Sequence, residues 1–219
     1  MRKRSITIGT YKTADHGWTL TGWTLTDPEQ KTSYVEKVAG DGSFDLSTAL
    51  SGGIPRYKVR TFTATLECSQ GTREERGRLI SDMVNELDGL EWNTVPPDHP
   101  EHYLTGRVHV AVLRHDLAYA EVQVTGTVDP WLYKARETVV EPTTTIQRQT
   151  VRLYNEGRKA VVPMLTVDGV VHIMKGEDAV LLPEGSYKWP SLTLMPGVTT
   201  FDCMGMGSLT ITYREAVLR

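Results

Sequence analysis

A chain of 219 residues allows one large or two small domains, and 39% hydrophobic against 23% charged residues excludes a disordered polypeptide. Lys and Arg total 24 against 27 Asp and Glu, a formal net charge of −3, which lacks the excess of positive charge that a general nucleic-acid binder needs. No uninterrupted apolar run approaches the ~20 residues of a bilayer-spanning helix, and the basic start MRKRSITIG lacks the apolar segment of a signal peptide, so a soluble, non-secreted chain is expected.

Nineteen Gly and 11 Pro punctuate many short apolar stretches, the pattern of an all-β protein cut by turns. From Thr61 to Cys68, Phe62, Ala64, Leu66 and Cys68 alternate with polar residues, which predicts a half-buried strand. The β pattern then breaks at TREE, residues 72–75. Thr72 as N-cap and Glu75 three residues on form a capping box, and Leu79, Ile80, Met83, Val84 and Leu87 recur at helical spacing. One amphipathic helix is predicted over roughly 73–88, ended by Gly89.

Residues 95–100 (VPPDHP) are too proline-rich for either structure and read as a loop. Val108, Val110 and Val112, then Ala120, Val122 and Val124, again alternate with polar residues and predict two paired strands turning around Arg114 to Ala118. The first half stops near Asp129 and Pro130. We expect a first domain over 1–135, a linker over 136–147 around EPTTT, and a second domain over 148–219.

The second half reads as seven short strands: Val151 to Tyr154, Val161 to Val167, Val170 to Ile173, Ala179 to Leu182, Leu192 to Leu194, Val198 to Asp202 and Leu209 to Tyr213. Asp168 and Gly169 predict a type I′ hairpin between the second and third of these. Short strands with turns and no helix point to a small β-sandwich.

Motifs that carry chemistry are sparse. Cys68 and Cys203 lie far apart in strand-like segments and read as buried free thiols. Asp98, His99, Glu101 and His102 sit in the proline loop, whose setting favours solvated side chains over metal ligands, and His109 reads as a surface or interface histidine. Residues 40–45 (GDGSFD) lack the further carboxylates of a calcium loop, and Gly205 to Ser208 is not a nucleophile elbow. With no phosphate loop, dinucleotide fingerprint or paired catalytic carboxylates, neither an enzyme nor a bound cofactor or metal is expected. Tyr187 and Trp189 can either stack on sugar rings or pack against the core, and the bulk of aromatics in a small domain favours the core.

The order of several segments carries a resemblance. Residues 40–46 (GDGSFDL), 50–55 (LSGGIP) and 57–60 (YKVR) precede a long alternating strand, a helix and two strands ending at Asp129 and Pro130; residues 155–157 (NEG), Pro163 and a terminal strand at Leu209 to Tyr213 follow. Over nearly its whole length the chain resembles the distal tail proteins of phages with long, non-contractile tails.

The resemblance implies a mainly β fold with one amphipathic helix in the N-terminal domain. A β-sandwich or barrel-like ring domain would be followed by a galectin-like or carbohydrate-module-like β-sandwich. It further implies a structural virion protein, assembled in the host cytoplasm, whose first domains close a hexameric ring at the tail tip while the second domains project outward. Tail-tube protein, a hub or tip protein, and receptor-binding proteins would be its neighbours, and tape measure protein and DNA would pass through its channel without specific binding. Gly42, Asp45, Tyr57 and Arg60 fall in the segment expected to shape a ring contact. Arg60 there would either meet a carboxylate at a buried interface or lie on a solvated strand face. Two other readings stand beside this one: a carbohydrate-binding adsorption module using Tyr187 and Trp189, and a minor tail-tube subunit.

Overall fold

The structure, a computed structural model, describes residues 5–219. The chain divides into two compact units, the first ending at Pro130 and the second spanning Trp131–Arg219.

The first unit contains β1 (Thr7–Ile8), β2 (Tyr11–Lys12), β3 (Thr19–Leu25), β4 (Tyr34–Glu36), β5 (Ser43–Asp45), β6 (Arg60–Cys68), α1 (Arg73–Leu87), β7 (Glu91–Val95), β8 (His102–His115) and β9 (Ala120–Val128). Seven of these strands lie side by side in the order β2-β1-β7-β8-β9-β6-β3, all antiparallel where their registers are defined, and β4 pairs only with β5. The alternation around Phe62 is realised: Phe62, Ala64, Leu66 and Cys68 are buried, as are Val108, Val110, Val122 and Val124 of the neighbouring strands. Val112, expected on that same face, is exposed, and the register slips immediately after it, between Val112 and Arg114.

The helix starts where its capping box placed it. The Thr72 amide donates to Glu75 Oε2 at 2.7 Å and the Glu75 amide to Thr72 Oγ1 at 3.2 Å. Ile80, Met83 and Leu87 are buried, Leu79 and Val84 flank them half-buried, and Gly89 takes up a φ of +73° to end the turn. Arg76 is buried on the same stripe, which apolar periodicity did not mark. Its guanidinium donates to the carbonyl oxygens of Gly71, Asp116 and Leu117 and so ties the helix start to the β8–β9 turn.

The second unit contains β10 (Leu132–Lys134), β11 (Thr138–Val140), β12 (Gln149–Asn155), β13 (Met164–Lys175), β14 (Asp178–Leu182), β15 (Gly185–Lys188), β16 (Gly197–Tyr213) and β17 (Ala216–Val217). Residues 136–147, read from the sequence as a linker, include β11, which pairs with β16, and Thr145, whose carbonyl accepts from the Gly205 amide. Their polar, β-branched composition suits an exposed edge strand as well as a linker.

The predicted hairpin at Asp168 and Gly169 is absent. β13 continues through it, with Asp168 opposite Ser208 and Gly169 opposite Gly207, and the expected strands at 198–202 and 209–213 are likewise one strand. The glycines bend these two long strands instead of reversing them. Gly169 has a φ of +99° and Gly207 of +139°, and a Cβ on Gly207 would lie 1.9 Å from the Asp168 carbonyl oxygen. On one side of the bend β13 and β16 are flanked by β15 and β11, on the other by β14 and β12. The two halves face each other across one core that includes Leu165, Val167, Val171, Ile173, Phe201 and Ile211. A sandwich thus arises from two bent strands rather than from seven short ones.

The ends of this unit are fastened together. β17 pairs with β10, and Glu215, 4% exposed, accepts from Lys134 Nζ (2.7 Å), Thr138 Oγ1 (3.2 Å) and the Glu156 amide (2.9 Å). Burial pushes the Glu215 carboxyl up, but these donors outweigh it and hold it below the usual glutamate range. A carboxyl lowered in the folded state stabilises above its unfolded pKa and loses that stabilisation as pH falls through the folded value. Wild-type unit 2 should therefore lose melting temperature as pH drops below about 4.5, and Glu215→Gln should flatten that dependence. At pH 7 the substitution should cost about 1–2 kcal/mol, less than for a fully buried pair because the Lys134 side chain is 39% exposed. Thermal unfolding of both proteins across pH 3–7, followed by near-ultraviolet circular dichroism, measures both effects.

Candidate assembly interface

Between β3 and β6 the chain leaves the sheet as an arm. At its root Thr26 and Thr61 bond twice: the Thr26 amide donates to the Thr61 carbonyl (3.0 Å) and the Thr61 amide to Thr26 Oγ1 (2.9 Å). The neck continues with the Lys58 amide on the Glu29 carbonyl, a Lys58–Glu29 ion pair, a Gln30–Tyr57 bridge and the Lys31 amide on the Arg56 carbonyl. Beyond it, β4 and β5 form a hairpin closed by Gly42 at a φ of +82°, a conformation glycine adopts without a Cβ penalty. The Asp45 carboxylate caps the following turn by accepting the Ser47 amide at 2.9 Å, and the hydrogen bonds from the Ser47 side chain and backbone hold it below the usual aspartate range.

This arm buries almost none of its apolar side chains. Every residue of β4 and β5 is exposed, and Tyr34, Val35, Val38, Phe44, Leu46 and Leu50 are all large and uncovered, with Val38 and Leu50 as open as in an extended chain. An isolated two-stranded hairpin is marginal in water, and clustered exposed apolar groups mark a surface that another molecule covers.

Of the four residues singled out by the sequence, Gly42 and Asp45 lie on the hairpin and Tyr57 in the neck, so one continuous segment carries them. Arg60 does not share their exposure. It is 3% exposed, with Nε donating to the Thr26 carbonyl (2.6 Å) and Nη1 to the Pro130 carbonyl (3.3 Å). Arg60 is therefore buried rather than on the solvated strand face considered from the sequence, and it joins the ends of β3, β6 and β9. Sequence reasoning missed Val38 and Leu50. Their signal was apolar residues inside a turn-rich, polar stretch that belongs to no amphipathic element.

The other candidates take modest roles. Tyr187 and Trp189 pack, partly buried, against the second unit's core, and the Tyr187 hydroxyl donates to the Glu184 carbonyl at 3.2 Å. The rings of His99 and His102 meet edge to face at 6.1 Å, and among the described residues no group of three or more His, Cys, Asp or Glu could hold a metal ion. His109 lies on the surface, with Nδ1 2.7 Å from Asp88 Oδ1. Cys68 and Cys203 are free thiols, both buried, and burial pushes the Cys203 thiol up.

No protein-family model matches this sequence, and no curated protein does so significantly. Solved structures do. The Dit protein (gp 19.1) of phage SPP1, described as a paradigm of the hub adsorption apparatus in phages infecting Gram-positive bacteria, aligns over 97% of this chain and 98% of its own, with a TM-score of 0.69 and 13% identity. Two structures of the phage p2 baseplate in its activated conformation, with Sr and with Ca, align over 95% and 97% of this chain and 97% and 98% of theirs. Both have a TM-score of 0.40 and 8% identity. The chain thus shares the fold of the SPP1 Dit protein over nearly its whole length.

Proposed function

We propose that this protein is a structural, non-catalytic component of a phage tail tip: a distal tail protein whose copies close into a hexameric ring between tail tube and tip. The ring leaves a channel for tape measure protein and DNA. The observation that carries this reading is the likeness to the SPP1 hub protein over 97% of this chain and 98% of that one. The arm supports it independently. A ring is built from heterologous contacts repeated around an axis, and an arm with uncovered apolar side chains is a suitable donor for such a contact. A formal charge of −3 is compatible with DNA passing without being held. Tyr187 and Trp189 lend no support to a saccharide platform, since both rings pack against the core.

The test is the mass of the purified protein by light scattering, with particle symmetry from electron microscopy. A six-fold ring with an open centre is the expected result, and a monomer at every concentration overturns the reading. In the same measurement Val38→Asp with Leu50→Asp should yield folded monomers, because both side chains are fully exposed in the single chain and their replacement costs its fold little.

A further inference from the structure

Arg60 stands where three segments meet. Its backbone opens β6 opposite Val128, the last residue of β9. Its Nε donates to the Thr26 carbonyl at the root of the arm (2.6 Å), and its Nη1 to the Pro130 carbonyl (3.3 Å). Pro130 is the last residue of the first unit, and Trp131 opens the second. One buried guanidinium therefore holds both the place where the arm leaves the sheet and the place where the chain leaves the unit.

The arm is built to bring a load to that root. The β3–β6 ladder runs on past the sheet as a two-stranded ribbon, through the Thr26–Thr61, Lys58–Glu29, Gln30–Tyr57 and Lys31–Arg56 contacts, to a hairpin whose every strand residue is exposed. Displacement of the tip is thus borne at Thr26 and Thr61. On the other side of Arg60, the Asp129 amide donates to the Thr105 carbonyl (2.9 Å), so the main chain just before the joint is held from two directions. A guanidinium presents its donors in one rigid plane. The Thr26 and Pro130 carbonyls cannot shift independently without breaking a charge-assisted hydrogen bond in the interior, where an unmade bond is most costly.

We propose that Arg60 is a positioning residue that couples the arm to the joint. When the arm packs against another copy, its root settles and residues 129–134 are held in one path; when the arm is free, that path loosens. Coupling of this kind is reciprocal, so whatever fixes the joint also favours the engaged arm. The inference rests on the proposed assembly through the arm, and it gives that assembly a consequence for the tether of the second unit.

The experiment follows amide hydrogen exchange of residues 129–134 by mass spectrometry in the full-length chain. Wild type in its assembled state is compared with the Val38→Asp, Leu50→Asp chain, whose arm cannot engage, and with Arg60→Lys, whose single ammonium lacks the fork. Met83→Ala is the control, because it opens a cavity under α1, at a fully buried side chain, and destabilises the same unit without touching the arm or the joint. Wild type and Met83→Ala should each exchange about tenfold more slowly when assembled, and assembled Arg60→Lys should show little or no slowing. Equal slowing in Arg60→Lys would mean that assembly buries the joint directly, and loss of the slowing in Met83→Ala would mean that it follows stability; either result overturns the coupling. An Arg60→Lys chain that forms no ring makes Arg60 a requirement of assembly instead and also overturns it. A wild-type ring without slowing overturns the coupling and leaves the ring standing, whereas a wild-type monomer at every concentration overturns both.

Discussion

Gly207→Ala should unfold the second unit at temperatures where the first is still folded. Two penalties coincide at this position: a φ of +139° that side-chain-bearing residues rarely adopt, and a Cβ placed 1.9 Å from the Asp168 carbonyl oxygen. Backbone atoms of a paired strand cannot move aside as a flexible side chain can, so relief requires separating β13 from β16 where both bend. We expect a loss of about 3 kcal/mol or more, shifting the unit's calorimetric transition down by roughly 12–24 °C. Gly176→Ala is the control. Gly176 also has a positive φ, +62°, but nothing lies within 4 Å of its Cβ position. It should cost no more than conformational strain, about 1 kcal/mol. Equal losses from the two substitutions would remove close approach as the reason for glycine at 207.

Arg60→Ala has the second large effect, and it separates a framework role from a ring contact. The side chain is 3% exposed and holds the carbonyls of Thr26 and Pro130, at the ends of strands far apart in sequence. Removing it leaves those acceptors without this charged donor and opens a void beside them. A loss of about 3 kcal/mol is expected, or roughly 6–12 °C in the melting of the first unit, with the proposed ring weakened as a consequence because the arm is rooted at Thr26. Arg60→Lys should recover only part of it, since one ammonium cannot present the forked donors of a guanidinium. Unchanged melting with loss of the ring would instead make Arg60 an interface residue.

Much of the fold is legible locally. The capping box at Thr72 and Glu75, the stripe of Ile80, Met83 and Leu87, and the alternation at Phe62 to Cys68 each encode their element within a few residues, where a backbone preference and a burial pattern agree. Asp168 and Gly169 show where this stops. A glycine with positive φ serves a tight turn and a bent strand equally well, and the choice depends on Gly207, distant in sequence and opposite in space. The stretch 136–147 departs from the expected linker for a related reason, since an exposed edge strand and an unstructured connection share a composition, and only pairing with β16 distinguishes them.

The arm is divided in the same way. The sequence marked Gly42, Asp45 and Tyr57 within one turn-rich stretch but could not say that Val38 and Leu50 would find no cover, since exposure is a property of everything that packs nearby. Nor could it tell that Arg60 faces inward to carbonyls from two other segments. What the sequence determined by itself is the mainly β class, the single helix and the central strands of the first unit, because helix caps, period-two alternation and turn residues act through neighbours along the chain. Tertiary structure alone decided which glycines bend rather than turn, which arginines are interior and which apolar side chains stay uncovered. Each of these depends on contacts between segments whose separation in sequence leaves no local trace.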